Sequence, residues 1–496
     1  MKFIQKTTLV LLLSVFLITS CTSPNKPTPQ DTFKQQHPEF ATKFEDKVSN
    51  IYKDKNLHGD ILFAIVNEQG IAYSFTLNRE LLNGTPTDLN LDSPIYIASS
   101  TKSFTGTLLK ILEEEGTLDL NSSLHKNLPQ LTYQNEIDTE AISLKNLLNH
   151  THGTFSTSMA WKTAYLGYSG NNEELISDLN TDFLYDPSGK FRYSNIGPII
   201  AGLVVDYNTN KTWKSQMETK IFDPLKMSNT SANVSDFKFE TIRPSLLCSN
   251  DSIILKSFDK TDFTMHAAGG IISTMNDMAK WMSANIRQDS LLLTQENWKD
   301  LHEPTTEQDR TYFTYKRTGY SLGWDIANYQ NEKILTRFGN LGGITFHSSF
   351  MPDRKIGIIA FSNDNRAYLL PHLIANYAYN LLNTKDADSI FNTEVVDFNK
   401  SYTKENNIAY PSQSDLAKDN KENDRLIGTY KSTKNWPNIT ITKEDRCYYF
   451  TWGTLKGKIY NNPSGGFTSS TGVLKRNFNV ENNTLHTGSL EYKKIE

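Results

Sequence analysis

Only 3 cysteines occur in 496 residues, and these (Cys21, Cys248 and Cys447) lie far apart. So few exclude a disulfide scaffold, and nothing in their spacing supports a Cys248–Cys447 bridge. Metal-ligand spacing is missing too. The nearest candidate, His150-Thr151-His152, has no carboxylate or third histidine at a diagnostic distance, so no metal site is expected. An excess of charge of one sign is also absent: 51 basic side chains stand against 55 acidic ones, for a formal charge of -4. Without a basic tract there is no electrostatic case for a nucleic-acid partner. The chain has no collagen-like period, internal repeat or low-complexity block, which excludes a fibrous protein.

What is present is the composition of a folded enzyme or binder, 38% hydrophobic, 11% aromatic and 21% charged. The length is too great for one ordinary compact core and suits a large domain with a smaller companion.

The apolar run Leu9–Ile18 follows Lys2 and Lys6 and precedes Ile18-Thr19-Ser20-Cys21. A basic start and a short apolar stretch describe a signal peptide, since a membrane span needs roughly 20 apolar residues. The placement of Cys21 resembles a bacterial lipobox, which implies cleavage before Cys21 and lipid attachment there. The other reading is an ordinary signal peptide with an incidental cysteine. The first reading makes residues 1–20 the leader and 21–45 a polar, Pro-rich tether. It gives a lipid-anchored protein of the bacterial cell envelope, with the membrane as a partner through Cys21.

Ile61–Val66 and Ile71–Leu77 are strand-like runs split by the turn cluster Asn67-Glu68-Gln69-Gly70. From about 100 to 300 the pattern is helical. Phe104, Leu108, Leu109, Ile111 and Leu112 recur at helical spacing, and a second helix follows Ser273. Strand patterns return at 334–338, 344–350 and 355–361, and 368–382 is an amphipathic helix. The sequence-distant strands are expected to share one sheet, with the helical stretch inserted as a second lobe and a cleft between them. Residues 46–383 form this domain and 384–423 read as a linker. Residues 424–496 read as a small antiparallel β domain with no catalytic constellation.

Ala98-Ser99-Ser100-Thr101-Lys102 opens the first long helix, where residues three apart share a face. A serine hydroxyl needs a neighbouring base, which an amine kept neutral by burial or nearby positive charge can supply. The helix N-terminus favours an oxyanion. The spacing alone is weak, because Ser23, Ser123, Ser235, Ser257 and Ser401 also have Lys three residues on. Tyr193-Ser194-Asn195 adds a phenol that can relay protons and an amide that can bind both lysine and substrate, although Tyr133, Tyr329 and Tyr460 also precede Asn by two. Phe338-Gly339-Asn340-Leu341-Gly342-Gly343-Ile344 supplies glycines in a strand, which admit a ligand close to the backbone or mark a turn.

Together these segments resemble the serine β-lactamase-related family of class C β-lactamases, penicillin-binding proteins, D-aminopeptidases and related esterases, over about Leu57–Leu382. The matching stretches are 97–102, Tyr193-Ser194-Asn195, Leu147–Gly153, Asp223–Met227, and Ala267–Gly270 with Ser273-Thr274. The resemblance implies an α+β (α/β) fold of the β-lactamase/transpeptidase type, an antiparallel sheet flanked by helices and a helical lobe. It implies Ser99 as nucleophile, Lys102 as proton acceptor, Tyr193 as general acid and base, and Asn195 as the residue that positions lysine and substrate. The oxyanion hole would be the N–H groups of Ser99 and Gly343, with Asn340 and Gly342 also lining the substrate site. No metal or organic cofactor is implied. A Lys or His commonly stands two residues before a glycine in the third motif, and here Asn340 is read at that place. An uncharged amide would weaken carboxylate recognition and with it efficient β-lactam hydrolysis. Arg337 and His347 lie nearby in sequence and are candidates to compensate, but the favoured reading makes both ordinary polar strand residues, and His150 is read as a structural cap rather than a catalytic base. The expected activity is a serine hydrolase acting on an ester, amide or D-amino-acid peptide. The competing expectation is a lapsed member that binds peptidoglycan fragments or another envelope ligand.

Overall fold

The structure, a computed structural model, describes residues 28–78, 88–168, 170–238, 242, 245–249, 253–256, 260–383, 386–408, 410–432, 434, 436–470 and 474–495. The expected leader at 1–20 and Cys21 lie outside these residues.

An eight-stranded antiparallel sheet organises the large domain. Its spatial order is Gly70–Leu77, Ile61–Asn67, Ile356–Ser362, Ile344–Met351, Glu332–Leu341, Asp325–Tyr329, Tyr315–Tyr320 and Thr306–Tyr312. The first strand therefore pairs with the last, Ile61 opposite Ser362 and Asn67 opposite Ile356. Every side chain from Ile61 to Val66 is buried because the strand is covered on both faces. Leu62, Ala64 and Val66 enter one core with the helix Thr101–Glu114. Ile61, Phe63 and Ile65 enter a second core with the N- and C-terminal helices. The period-2 alternation thus splits one strand between two cores.

The 21–45 tether ends earlier than the sequence suggested. Pro29–Gln36 is a helix with a capping box between Thr28 and Asp31, and Phe40–Asp54 is a second helix. Phe33, Phe40 and Phe44 stack against Phe63 and Tyr73 of the sheet, and this aromatic burial outweighs the polar composition around it. The 384–423 segment departs from a linker for the same reason. Ala387–Asn406 is a 20-residue helix that buries Ala387, Phe391, Glu394 and Phe398 while most of its other positions are polar.

At the C-terminus, eight strands from Gly428–Ser432 to Leu490–Lys494 close into an antiparallel barrel, the first paired with the last. In Cys447–Trp452 the large residues Tyr448, Phe450 and Trp452 face inward while their neighbours stay half-exposed. Left-handed pairs at Asp445-Arg446 and Asn482-Asn483 form its tight turns. The barrel abuts the helical lobe at Gly453, where a Cβ would lie 2.0 Å from the Leu166 carbonyl oxygen, so only glycine fits. Thr454 Oγ1 donates to the Tyr165 carbonyl next to it.

Candidate active site

Ser99 sits in a single tight turn, Ala98–Ser100, that runs directly into the helix Thr101–Glu114. Ala98 holds φ at 46°, in the left-handed region that costs a side-chain-bearing residue on the order of 1–3 kcal/mol. The surroundings enforce it: Ile97 N–H donates to the Ile271 carbonyl, and Gly339 lies so near that a Cβ there would be 2.1 Å from Ile97 O. Strain at this point aims the serine out of the turn.

Lys102, one turn into the helix, is 2% exposed. Its Nζ donates to Ser99 Oγ at 3.1 Å, to Asn195 Oδ1 at 2.7 Å and to the Ala268 carbonyl at 2.7 Å. These direct acceptors are neutral, so no carboxylate touches the buried ammonium, and Tyr193 and the more distant Asp325 offset its burial only in part. Burial, with Arg337 adding like-charge repulsion, pulls its pKa down to about 8. Tyr193 donates its hydroxyl to Ser99 Oγ at 2.9 Å. Burial alone would raise the phenol, but the cations Lys102 and Arg337 outweigh it and bring the pKa down to about 8. Ser99, Lys102, Tyr193 and Asn195 therefore converge as the sequence suggested. Lysine and phenol are thus both drawn down to about 8 and both bonded to one hydroxyl, an arrangement able to exchange protons with it.

The third motif differs in register. Asn340 has an exposed side chain whose Nδ2 lies 3.4 Å from Thr345 Oγ1. Gly342 and Gly343 form the two-residue turn between the paired residues Leu341 and Ile344, with φ of 51° and 101°. Gly343 packs by Ser245 and Leu247 rather than by the Ser99 turn. The glycine that touches the nucleophile turn is Gly339, and the cation two residues before it is Arg337.

Arg337 is 4% exposed. Its Nη2 reaches the Tyr193 hydroxyl at 3.5 Å, its Nη1 donates to the Tyr320 hydroxyl at 2.9 Å, and the same Nη1 lies 3.3 Å from Asp325 Oδ2. The signal that finds it is the one applied to Asn340, a cation two residues before a glycine, moved three residues toward the N-terminus.

Ladder parity moves the backbone donor as well. In a two-residue hairpin the closing residues are hydrogen-bonded to each other, so Leu341, Gly339 and Arg337 bond to Ile344–Met351. Asn340 consequently turns its N–H to the opposite edge. That edge is paired with Asp325–Tyr329 only as far as Thr336, and the nucleophile turn lies along the remainder. The residue chosen for its side chain is placed to act through its backbone.

His150 lies behind the site. It is buried, accepts from Ser194 N–H at Nδ1 (3.3 Å), meets Tyr320 OH at Nε2 (3.2 Å), and is held neutral by burial. This agrees with a structural part. His347 is farther away, fully buried and paired through Nδ1 with His372 Nδ1 at 2.8 Å. Cys248 and Cys447 are both free thiols. Among the described residues no group of three His, Cys, Asp or Glu side chains could hold a metal ion.

The chain belongs to the Beta-lactamase family, whose profile matches residues 44–374. Among curated proteins it is similar to Protein flp of Staphylococcus aureus (strain NCTC 8325 / PS 47), 23% identical over 293 residues. That match covers 58% of this chain and 56% of flp, so it spans little more than half of the relative's length. Among solved structures it resembles the octameric penicillin-binding protein homologue from Pyrococcus abyssi, with a TM-score of 0.62, 18% identity and coverage of 91% and 99% of the two chains. It also resembles a D-amino acid amidase from Ochrobactrum anthropi, solved with D-phenylalanine, with a TM-score of 0.55, 18% identity and coverage of 72% and 99%. At these identities the structural likeness concerns the fold.

Proposed function

We propose that the chain is a serine hydrolase that works through an acyl-enzyme on Ser99. The observation that carries this reading is the placement of two proton-exchanging groups on one hydroxyl, Lys102 Nζ at 3.1 Å and Tyr193 OH at 2.9 Å. Neutral Lys102 takes the Ser99 proton as Oγ attacks a carbonyl carbon. The N–H groups of Ser99 and Asn340 receive the oxyanion. When the intermediate collapses, Tyr193 gives a proton to the departing oxygen or nitrogen, and the Oγ–acyl ester remains. Water then attacks that ester with the same two groups as its base, and Ser99 leaves with its proton restored.

The substrate class is an ester, amide or D-amino-acid peptide that carries a carboxylate beside the scissile bond. Arg337 supports the carboxylate, since its charge and fork suit that group and replace what Asn340 lacks. The resemblance to a penicillin-binding protein homologue and a D-amino acid amidase is in keeping with such substrates. The leader before Cys21 supports a lipid-anchored location in the bacterial envelope. The lapsed-binder reading has the intact Ser99–Lys102–Tyr193 geometry against it.

The test is turnover of an activated ester. Ser99→Ala should abolish it with folding retained, and Lys102→Ala should slow acylation by about 10²–10⁴-fold. An unchanged rate in either variant would remove the mechanism.

A further inference from the structure

A groove of ≈ 830 Å³ separates the helical lobe from the barrel, with walls from both. Trp161 stands on the lobe side and Trp436 on the barrel side, and the ring of Trp452 lies 6.0 and 5.8 Å from them between centroids. Against this indole wall lies a cation. Arg476 places its guanidinium 5.2 Å over the Trp452 ring. Its hydrogen bonds among the described residues go to one residue, Nε to Thr487 Oγ1 at 2.7 Å and Nη2 to the Thr487 carbonyl at 2.9 Å. No carboxylate among the described residues pairs with it, whereas Arg337 and Arg317 share Asp325 and Arg366 has Asp364. Burial draws the pKa of Arg476 down. The space in front of it is kept open by Gly488, where a Cβ would come within 3.0 Å of Nη2. Lys434 adds a second, exposed cation to the rim. The lobe side of the groove is acidic, since Lys162 meets two carboxylates, Glu174 and Asp178, and Asp182, which accepts from Ser158, lines it too, so uncompensated positive charge is confined to the barrel side.

We propose that this groove is a second ligand site, distinct from Ser99, which takes a carboxylate carried on an aromatic or other apolar ring. Arg476 receives the carboxylate edge-on, a charge-assisted pair formed beside a ring and away from bulk water. The half-buried indoles of Trp161 and Trp436 cover the ring by stacking and edge contacts, with the buried Trp452 packed behind them and beneath Arg476. The site needs both units, since neither the lobe nor the barrel alone supplies the cation together with the half-buried indoles of Trp161 and Trp436.

The experiment uses 4-fluorobenzoyl-glycine and its uncharged amide as probes of the full chain carrying Ser99→Ala, which keeps both intact. Binding is read by fluorine NMR titration. The acid should bind about tenfold tighter than the amide, the gain expected of one charge-assisted contact. Arg476→Gln should erase that preference, and Trp436→Ala should weaken both probes. The exposed substitution Lys434→Gln should reduce the preference in part, and it guards against a folding defect in Arg476→Gln. Arg337→Gln, which alters only the cleft at Ser99, should leave the Arg476-dependent preference in place. Equal binding of acid and amide, a preference that survives Arg476→Gln, or one lost only in Arg337→Gln would overturn the proposal, the last by placing the probe in the catalytic cleft.

Discussion

The guanidinium of Arg337 lies 3.5 Å from the hydroxyl of Tyr193, and that hydroxyl lies 2.9 Å from Ser99 Oγ. A buried cation thus stands one atom away from the proton exchanger of the site. Tyr320 and Asp325 fix it from behind, at 2.9 and 3.3 Å. Its charge acts on Lys102 and Tyr193 in the same direction, since it disfavours the ammonium and favours the phenolate.

The rate should have a rising limb toward about pH 8, because neutral Lys102 is the form that accepts the serine proton and is lost below that value, and should fall above it as Tyr193 loses the proton it gives the leaving group. Arg337→Gln should move this limb to higher pH, as both groups relax upward without the cation. The same change should lower kcat/KM on carboxylate-bearing esters by about tenfold or more relative to neutral ones, the effect of losing a charged hydrogen bond. A pH–rate profile on paired substrates measures both effects.

Gly339 and Gly343 should behave differently when given a methyl group. At Gly339 the added Cβ meets backbone, Ile97 O at 2.1 Å, so the nucleophile turn must move. Gly339→Ala should cost about 10²-fold in kcat, the scale of a misplacement of roughly 1 Å. At Gly343 the nearest atoms are side chains at 3.3 Å, and the cost is the φ of 101°. Gly343→Ala should lower stability by about 1 kcal/mol and leave kcat nearly unchanged. Steady-state kinetics beside thermal melts separate the two.

Glu394 should make stability depend on pH. Burial raises its pKa to about 7, against hydrogen bonds from Asn376 and Tyr329. A carboxyl whose folded pKa is raised stabilises the fold while protonated, fully below its unfolded value near 4.5. That stability is lost as pH rises toward about 7. The Tm should fall between pH 5 and 7.5, with a free-energy change of at most about 3 kcal/mol. Glu394→Gln should flatten this part of the curve.

Wherever short-range pattern carried the information, the sequence was readable. The hairpin at Ile61–Leu77 follows from two apolar runs split by a turn cluster, the helix after Ser99 from its 3.6 period, and the strand at Tyr448–Trp452 from a short run bounded by turns. The Ser99–Lys102–Tyr193–Asn195 set was legible because each member sits in a motif whose chemistry needs it. The third motif was not, because its register depends on which glycine abuts Ile97, a long-range contact that composition does not encode. The helices at 29–54 and 387–406 were hidden by polar faces. In each, a few aromatics such as Phe44 and Phe398 supply the burial.

The most direct test of a nucleophilic Ser99 is the intact mass of the soluble chain after treatment with a fluorophosphonate and, in parallel, with a penicillin, followed by mapping of the modified peptide. The account predicts one fluorophosphonate adduct on the peptide that contains Ser99, and a penicillin adduct at the same residue if the D-peptide branch is right. A folded protein that carries neither adduct, or carries one on another serine, would contradict it.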